Sequence, residues 1–150
     1  MRSYSVAFIG HRRIERDFEL ADRIEEMALS LLKTHEYVEF LMGRNGDFDI
    51  AAARAIKRAQ RRFGGESSSL SLVLPYRVKD EEFYAKYYDD ILYPISPKVH
   101  FKAAITKRNE WLVDHANCII AYVKNFSGGA HAALEYAKAK RVDFINLAYM

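Results

Sequence analysis

Along almost the whole chain, short apolar runs alternate with longer segments whose apolar residues recur every three or four positions. Residues 4–9 read as a first strand, ended by Gly10. Residues 15–33 follow, with Leu20, Ile24, Met27, Ala28 and Leu31 on one helical face. A second strand at 37–42 is broken by Gly43 and Gly46, and a second helix over 50–62 is closed by Gly64 and Gly65. A third strand at 70–74 ends at Pro75, which cannot extend a central ladder. A weaker helix over 80–88 and a very short strand at 91–93 come next. A helix over 101–115, a strand at 117–123, a helix over 129–140 and a strand at 142–147 complete the pattern. Strands separated by helices of this length pair in parallel through crossovers. The expected architecture is an open, doubly wound α/β sheet of about five to six mostly parallel strands, with helices on both faces.

Bulk properties set the outer limits. The chain has 150 residues, half of them hydrophobic and 29% charged, which excludes a disordered chain and suits one domain over 1–150. Its single cysteine, Cys118, excludes an internal disulfide framework and a multi-cysteine zinc site. His35, His100 and His131 are scattered, so no metal site is expected, and no cofactor either. The apolar run at 118–123 is far short of the ~20 residues of a membrane span, and the N-terminal run is too short for a signal peptide. No membrane association is expected, and the expected location is the cytoplasm. Formal charge is +3, from 23 Lys and Arg against 20 Asp and Glu. So small a surplus gives an expectation against nucleic acid as a partner.

Open parallel sheets hold ligands beyond the carboxyl ends of their strands, where strand order reverses. The residues there are Gly10-His11-Arg12-Arg13, 43–49, Pro75-Tyr76-Arg77 and 124–129. Arg12 is placed to hold a phosphate at the expected switch point. In Ser127-Gly128-Gly129-Ala130, Ser127 can cap the following helix while the glycines let a phosphate approach the backbone. The alternative is an ordinary serine-capped turn. The spacing is neither G-x-G-x-x-G nor a Walker A loop, which disfavours a hydride-transfer enzyme and a P-loop ATPase. Asp49 opens the second helix, either as a cap or as a contact to a sugar or base. The basic run Lys57, Arg58, Arg61 and Arg62 suits a helix end better than a nucleic-acid patch. Tyr84, Tyr87, Tyr88 and Tyr93 read as core- or partner-facing, and an exposed aromatic strip would suit a homodimer.

Taken in order, these segments resemble a known family. Phe8-Ile9-Gly10-His11-Arg12, Gly43-x-x-Gly46-x-Phe48-Asp49, Leu74-Pro75-Tyr76, residues 106–112, Ile120-Ala121-Tyr122-Val123, Ser127-Gly128-Gly129-Ala130 and Phe144-Ile145-Asn146-Leu147 carry the likeness. Together they are similar to the SLOG superfamily, in particular its YpsA-like branch of small bacterial and phage proteins. The resemblance implies a Rossmann-like fold that binds or senses nucleotides or nucleotide-derived ligands. It places Gly10, His11, Arg12, Gly43, Gly46, Asp49, Arg108, Asn109, Ser127, Gly128, Gly129 and Ala130 at the ligand.

Two alternatives come with the family. Its cytokinin-activating phosphoribohydrolases cleave a nucleotide N-glycosidic bond with an arginine and the motif P-G-G-x-G-T-x-x-E. Arg108 stands at that arginine, Gly128-Gly129 at the paired glycines and Glu135 at the glutamate, where a carboxylate would stabilise positive charge on the ribose. Ser127, His131, Ala132 and Asn109 depart from that pattern, and Glu135 also reads as a surface partner of Lys138. A further SLOG branch handles single-stranded DNA, which makes a DNA-associated module the second alternative.

Overall fold

The computed structural model describes residues 2–15, 17–44 and 46–149; Arg16 of the first expected helix and Asn45 of the second-strand loop lie outside the described residues. The elements run β1 (Ser3–Gly10), α1 (Asp17–Thr34), β2 (Tyr37–Met42), α2 (Asp47–Phe63), β3 (Ser68–Val73) and α3 (Glu81–Ala85). They continue β4 (Asp90–Leu92), α4 (Phe101–His115), β5 (Cys118–Tyr122), α5 (Gly129–Lys140) and β6 (Asp143–Asn146), followed by a 3-10 turn, Leu147–Tyr149. The sheet order is β4-β3-β2-β1-β5-β6, with every pairing parallel. This is the doubly wound, Rossmann-like architecture that the alternation of apolar runs predicts.

β1 is the pivot of the sheet. It pairs with β2 on one side and β5 on the other, so strand order reverses between β1 and β5. Val6, Ala7, Phe8 and Ile9 are all buried, as a strand covered on both faces must be. Their alternation sorts two cores. Val6 and Phe8 join Ile24, Ala28, Phe40, Phe48 and Ile56 under α1 and α2. Ala7 and Ile9 join Leu112, Val113, Ile119, Leu134 and Ala137 under α4 and α5.

Three of the departures from the sequence reading have a tertiary reason. α2 begins at Asp47 rather than 50, because the Asp47 N–H donates to the Arg12 carbonyl (2.7 Å) and its carboxylate accepts from the Ile14 N–H (3.2 Å). β3 begins at Ser68, two residues early, its serines sheltered beneath neighbouring elements: Ser69 and Ser71 are buried and Ser68 Oγ accepts from Gln60 (3.2 Å). α3 shrinks to five residues because it buries none of them and so gains little from packing.

Part of the basic charge is absorbed by the scaffold. Nearly buried Glu25 on α1 accepts from Arg62 Nη1 (2.7 Å) and Arg58 Nε (2.6 Å) on α2. The Arg62 bond, then the Arg58 bond, hold its carboxyl below the ordinary range against the opposing effect of burial. Half of the run at 57–62 is therefore committed to a helix–helix contact.

At the carboxyl end of β1 the packing leaves no slack. A Cβ on Gly10 would lie 2.3 Å from Cγ and Cδ2 of the Phe48 ring. Gly10→Ala is expected to lower stability by ~1–3 kcal/mol in urea unfolding, the range for overpacking a tight core. The cost should shrink when Phe48→Leu is combined with it, a coupling that the double-mutant cycle measures.

Candidate functional site

At the switch point between β1 and β5 the strand ends open into a crevice of about 390 Å³. That volume falls within the ~300–1,000 Å³ typical of small-molecule sites. The floor is the end of β1 with Gly10, His11, Arg12 and Arg13. Gly43 and Asp49 form one side, and the segment 127–130 at the start of α5 forms the other. The roof is α4, which presents Ile105, Arg108, Asn109 and Leu112 at the three-and-four spacing of one helical face. Eleven of the twelve residues assigned to the ligand from sequence thus converge on one recess.

Arg108 lies on the crevice-facing side of α4 and is largely buried. Its Nη1 donates to the Val73 carbonyl at the end of β3 (2.9 Å), and its Nε donates to Asn109 Oδ1 (3.0 Å). Burial pushes the guanidinium below its ordinary value, opposed by the nearby Asp49 carboxylate and Tyr76. Gly43 makes room for this arrangement: a Cβ there would stand 2.8 Å from Arg108 Nη1 and 3.1 Å from Asp49 Oδ2. Asn109 closes the gap to α5, its Nδ2 lying 3.7 Å from where a Gly129 Cβ would be.

α5 starts without a side-chain cap. Its N-cap residue is Gly128, at φ +94°, and among the described residues no side-chain cap bond is made at this helix start. The expectation that Ser127 caps this helix is therefore corrected; the chain turns on the glycine instead, and Ser127 is exposed on the crevice wall. The consequence is a helix N-terminus facing the recess with its dipole and N–H groups uncommitted to a side chain.

His11 ties the two sides of the switch point together. Its backbone N–H donates to the Tyr122 carbonyl (3.2 Å), and its ring edge meets the Tyr122 ring at 6.5 Å. Nε2 accepts from the N–H groups of both Lys124 (2.8 Å) and Asn125 (3.1 Å). Burial lowers its pKa below the ordinary histidine value.

Other residues are drawn elsewhere. Gly46, at φ +112°, is the N-cap of α2 rather than part of the crevice wall. A Cβ on it would collide with the Arg12 backbone at 2.5 Å, so its role is to let the two loops touch. Glu135 does not line the crevice either. It sits on the exposed side of α5, beside Lys138 (3.4 Å) and His131 (3.8 Å), in the pairing that its spacing to Lys138 suggests. The carboxylate in the crevice is Asp49. Among the other basic residues near the strand ends, Arg77 lies over Tyr93 and beside Glu81, Arg44 donates to Tyr84, and exposed Lys107 does not line the crevice.

Phe8, Ile9, Arg13, Pro75, Leu112 and Asn125 also line the crevice; they stand in the strand-end loops and family segments read from the sequence but are not among the residues assigned to the ligand, and Ile105 lies outside those segments. For Ile105 and Leu112 a signal existed: with Arg108 and Asn109 already singled out, helical spacing puts positions 105 and 112 on the same face.

No protein-family model matches the chain, and no curated protein sequence matches it. Among the solved structures that share its fold are two DNA processing proteins. DNA processing protein A (DprA) from Streptococcus pneumoniae superposes with a TM-score of 0.69 at 17% identity, over 94% of this chain and 49% of that one. DprA from Helicobacter pylori, described for its single-stranded DNA binding mode, gives 0.65 at 14% identity, over 94% and 63%. The chain thus spans about half to two thirds of these proteins. The Rossmann-like fold implied by the SLOG resemblance is the one found.

The expectation against nucleic acid is overturned, because a protein of this fold binds single-stranded DNA. The reason lies in the +3 sum on which that expectation rested. Arg58, Arg62, Arg77 and Lys138 all have acidic partners, whereas the crevice holds Arg12, Arg13 and Arg108 against Asp49. A nearly neutral total conceals a local surplus.

Gly43→Ala is expected to displace Arg108 or Asp49, costing ~1–3 kcal/mol as other overpacked sites do. A shift in the Arg108 Nε–H resonance, together with a lowered Tm, checks it.

Proposed function

We propose that this chain is a single SLOG-like domain of the YpsA-like branch that acts in the cytoplasm by binding single-stranded DNA at the carboxyl edge of its sheet. One nucleotide unit enters the crevice. The observation that carries the reading is the crevice itself: three guanidinium groups against one carboxylate, beside a helix start with no side-chain cap. A phosphodiester would take the first-turn N–H groups of α5 together with Arg12 and Arg108. Sugar and base would lie against Asp49, Asn109 and the apolar wall of Ile105, Leu112 and Pro75. Phe126, 86% exposed between two lining residues, offers a ring face for the neighbouring base. The likeness to DprA supports the same reading.

A second reading, the sensing of a free nucleotide or nucleotide-derived ligand, draws on the size of the recess, which suits one nucleotide rather than a strand. The two separate in one titration, using fluorescence anisotropy of labelled oligo-dT with unlabelled mononucleotides as competitors. The DNA reading expects oligo-dT to bind with an affinity that falls on adding salt, with a log–log slope of about −0.7 per phosphate contact. Arg12→Ala and Arg108→Ala should each weaken binding by roughly tenfold or more, the loss of a charge-assisted hydrogen bond. Arg12→Ala should also flatten the slope. Binding of mononucleotides without the oligonucleotide selects the second reading, and binding of neither removes both.

A further inference from the structure

The imidazole of His11 has one lone pair at Nε2, and two consecutive backbone N–H groups, those of Lys124 and Asn125, are aimed at it. A neutral ring that accepts there carries its proton on Nδ1. A second proton has only Nε2 to go to, the atom whose lone pair the loop is using. Protonation therefore removes the acceptor from both N–H groups at once and sets a cation against two donors.

These two bonds continue a sequence of fixations from β5 toward α5. Asn146 on β6 holds Val123 from both sides, Oδ1 accepting from its N–H (3.0 Å) and Nδ2 donating to its carbonyl (2.9 Å). His11 takes the next two N–H groups along the chain. Three residues later Gly128 turns at φ +94° into the uncapped start of α5. The residue that carries the ring is well seated, since the His11 backbone N–H is bonded to the Tyr122 carbonyl at the end of the paired strands.

We infer that neutral His11 is the positioning residue that holds the loop entering α5 in its anion-binding form, so that phosphodiester affinity is gained when this imidazole loses its proton. This rests on the proposed binding of single-stranded DNA in the crevice. The groups that share the crevice with His11 are Arg12 and Arg13 on its own loop, Asp49 from α2 and Arg108 from α4. Tyr122 and Lys124 stand on the β5 side. Burial already favours the neutral ring. The sign is fixed by the bonds: the folded protein binds the proton less readily than the unfolded chain, so the contribution of His11 is complete above the ordinary value near 6.5 and fades as pH falls below it. A phosphodiester beside the ring would act in the opposite sense, attracting an imidazolium, and the direction of the pH dependence distinguishes the two roles.

The test is oligo-dT binding from about pH 8 to about pH 5, where histidines titrate and the phosphodiesters of the probe do not. Wild-type affinity should fall about tenfold on acidification, the factor expected when two ordinary hydrogen bonds are given up. In His11→Gln, whose amide oxygen accepts without titrating, the profile should be flat; in His11→Ala, binding should be weak throughout. His131 is present in all three proteins, so its contribution is common to them. A wild-type profile parallel to that of His11→Gln overturns the inference. So does affinity that rises on acidification only when His11 is present, which would make the imidazolium a direct ligand.

A second measurement needs no ligand and no variant. In ¹⁵N-resolved spectra of the wild-type protein, Nε2 of His11 should be unprotonated at neutral pH, and the amides of Lys124 and Asn125 should titrate with the ring. Amides that stay still while the ring titrates overturn the inference. If oligo-dT binds at no pH, the functional reading fails alone, and these amides still decide the role of His11.

Discussion

The ring of Phe48 occupies the space that a side chain on Gly10 would need, and the whole carboxyl edge depends on that contact. It brings the start of α2 directly against the end of β1, so that Asp47 can bond the Arg12 carbonyl and the Ile14 N–H. Those bonds fold the loop after β1 back over the sheet, with His11 directed toward β5. The same loop is thereby pinned to α2 through Asp47 and to β5 through His11. A larger residue than glycine at position 10 would push these elements apart and open the crevice from its floor.

The second determinant is the distribution of charge rather than its sum. Ion pairs on the scaffold neutralise several basic groups where they stand, Arg58 and Arg62 at Glu25 between α1 and α2 and Lys138 at Glu135 on α5. The crevice retains its surplus because the roof arginine is held by a carbonyl rather than a carboxylate. The Val73 carbonyl fixes the Arg108 guanidinium without cancelling its charge, and Asp49 offsets it only in part. Partial burial makes such a charge more effective toward an anion than the same charge in open solvent, at the cost of a lowered affinity for its own proton.

The architecture was legible in the sequence because it depends on periodicity, which one chain displays in full. The order of strands and helices, the parallel pairing and the switch point at Gly10 and His11 all follow from it. The site was legible only where a strand end or a helix face marked it, as at Arg12, Asp49, Arg108 and Asn109. One feature depended on long-range contacts that no local pattern carries: the start of α2, set by Arg12 and Ile14. The cap of α5 was a choice between two neighbouring residues that the glycine turn decided against Ser127, and Glu135 takes the surface pairing with Lys138 that its spacing offers as the alternative to a catalytic role. Net charge misled for a related reason: it counts residues without their partners.

Two helices begin at this edge on a glycine with positive φ and no side-chain cap, yet they are not equivalent. α2 carries Asp47 and Asp49 in its first turn, so its positive end already faces carboxylates of its own chain. α5 has no acidic residue in its first turn. An anion entering the crevice therefore meets attraction on one side and a like charge on the other. That asymmetry gives the recess a direction: a nucleotide bound in the proposed mode places its phosphate at α5 and its hydroxyl and amide donors toward Asp49. The reverse orientation would bring a phosphate against Asp49 and leave the N–H groups of α5 without an anion, losing on both sides. The pairing of an acid-bearing helix start with a bare one, on opposite sides of the same switch point, thus favours one polarity for the proposed ligand as well as a negative charge.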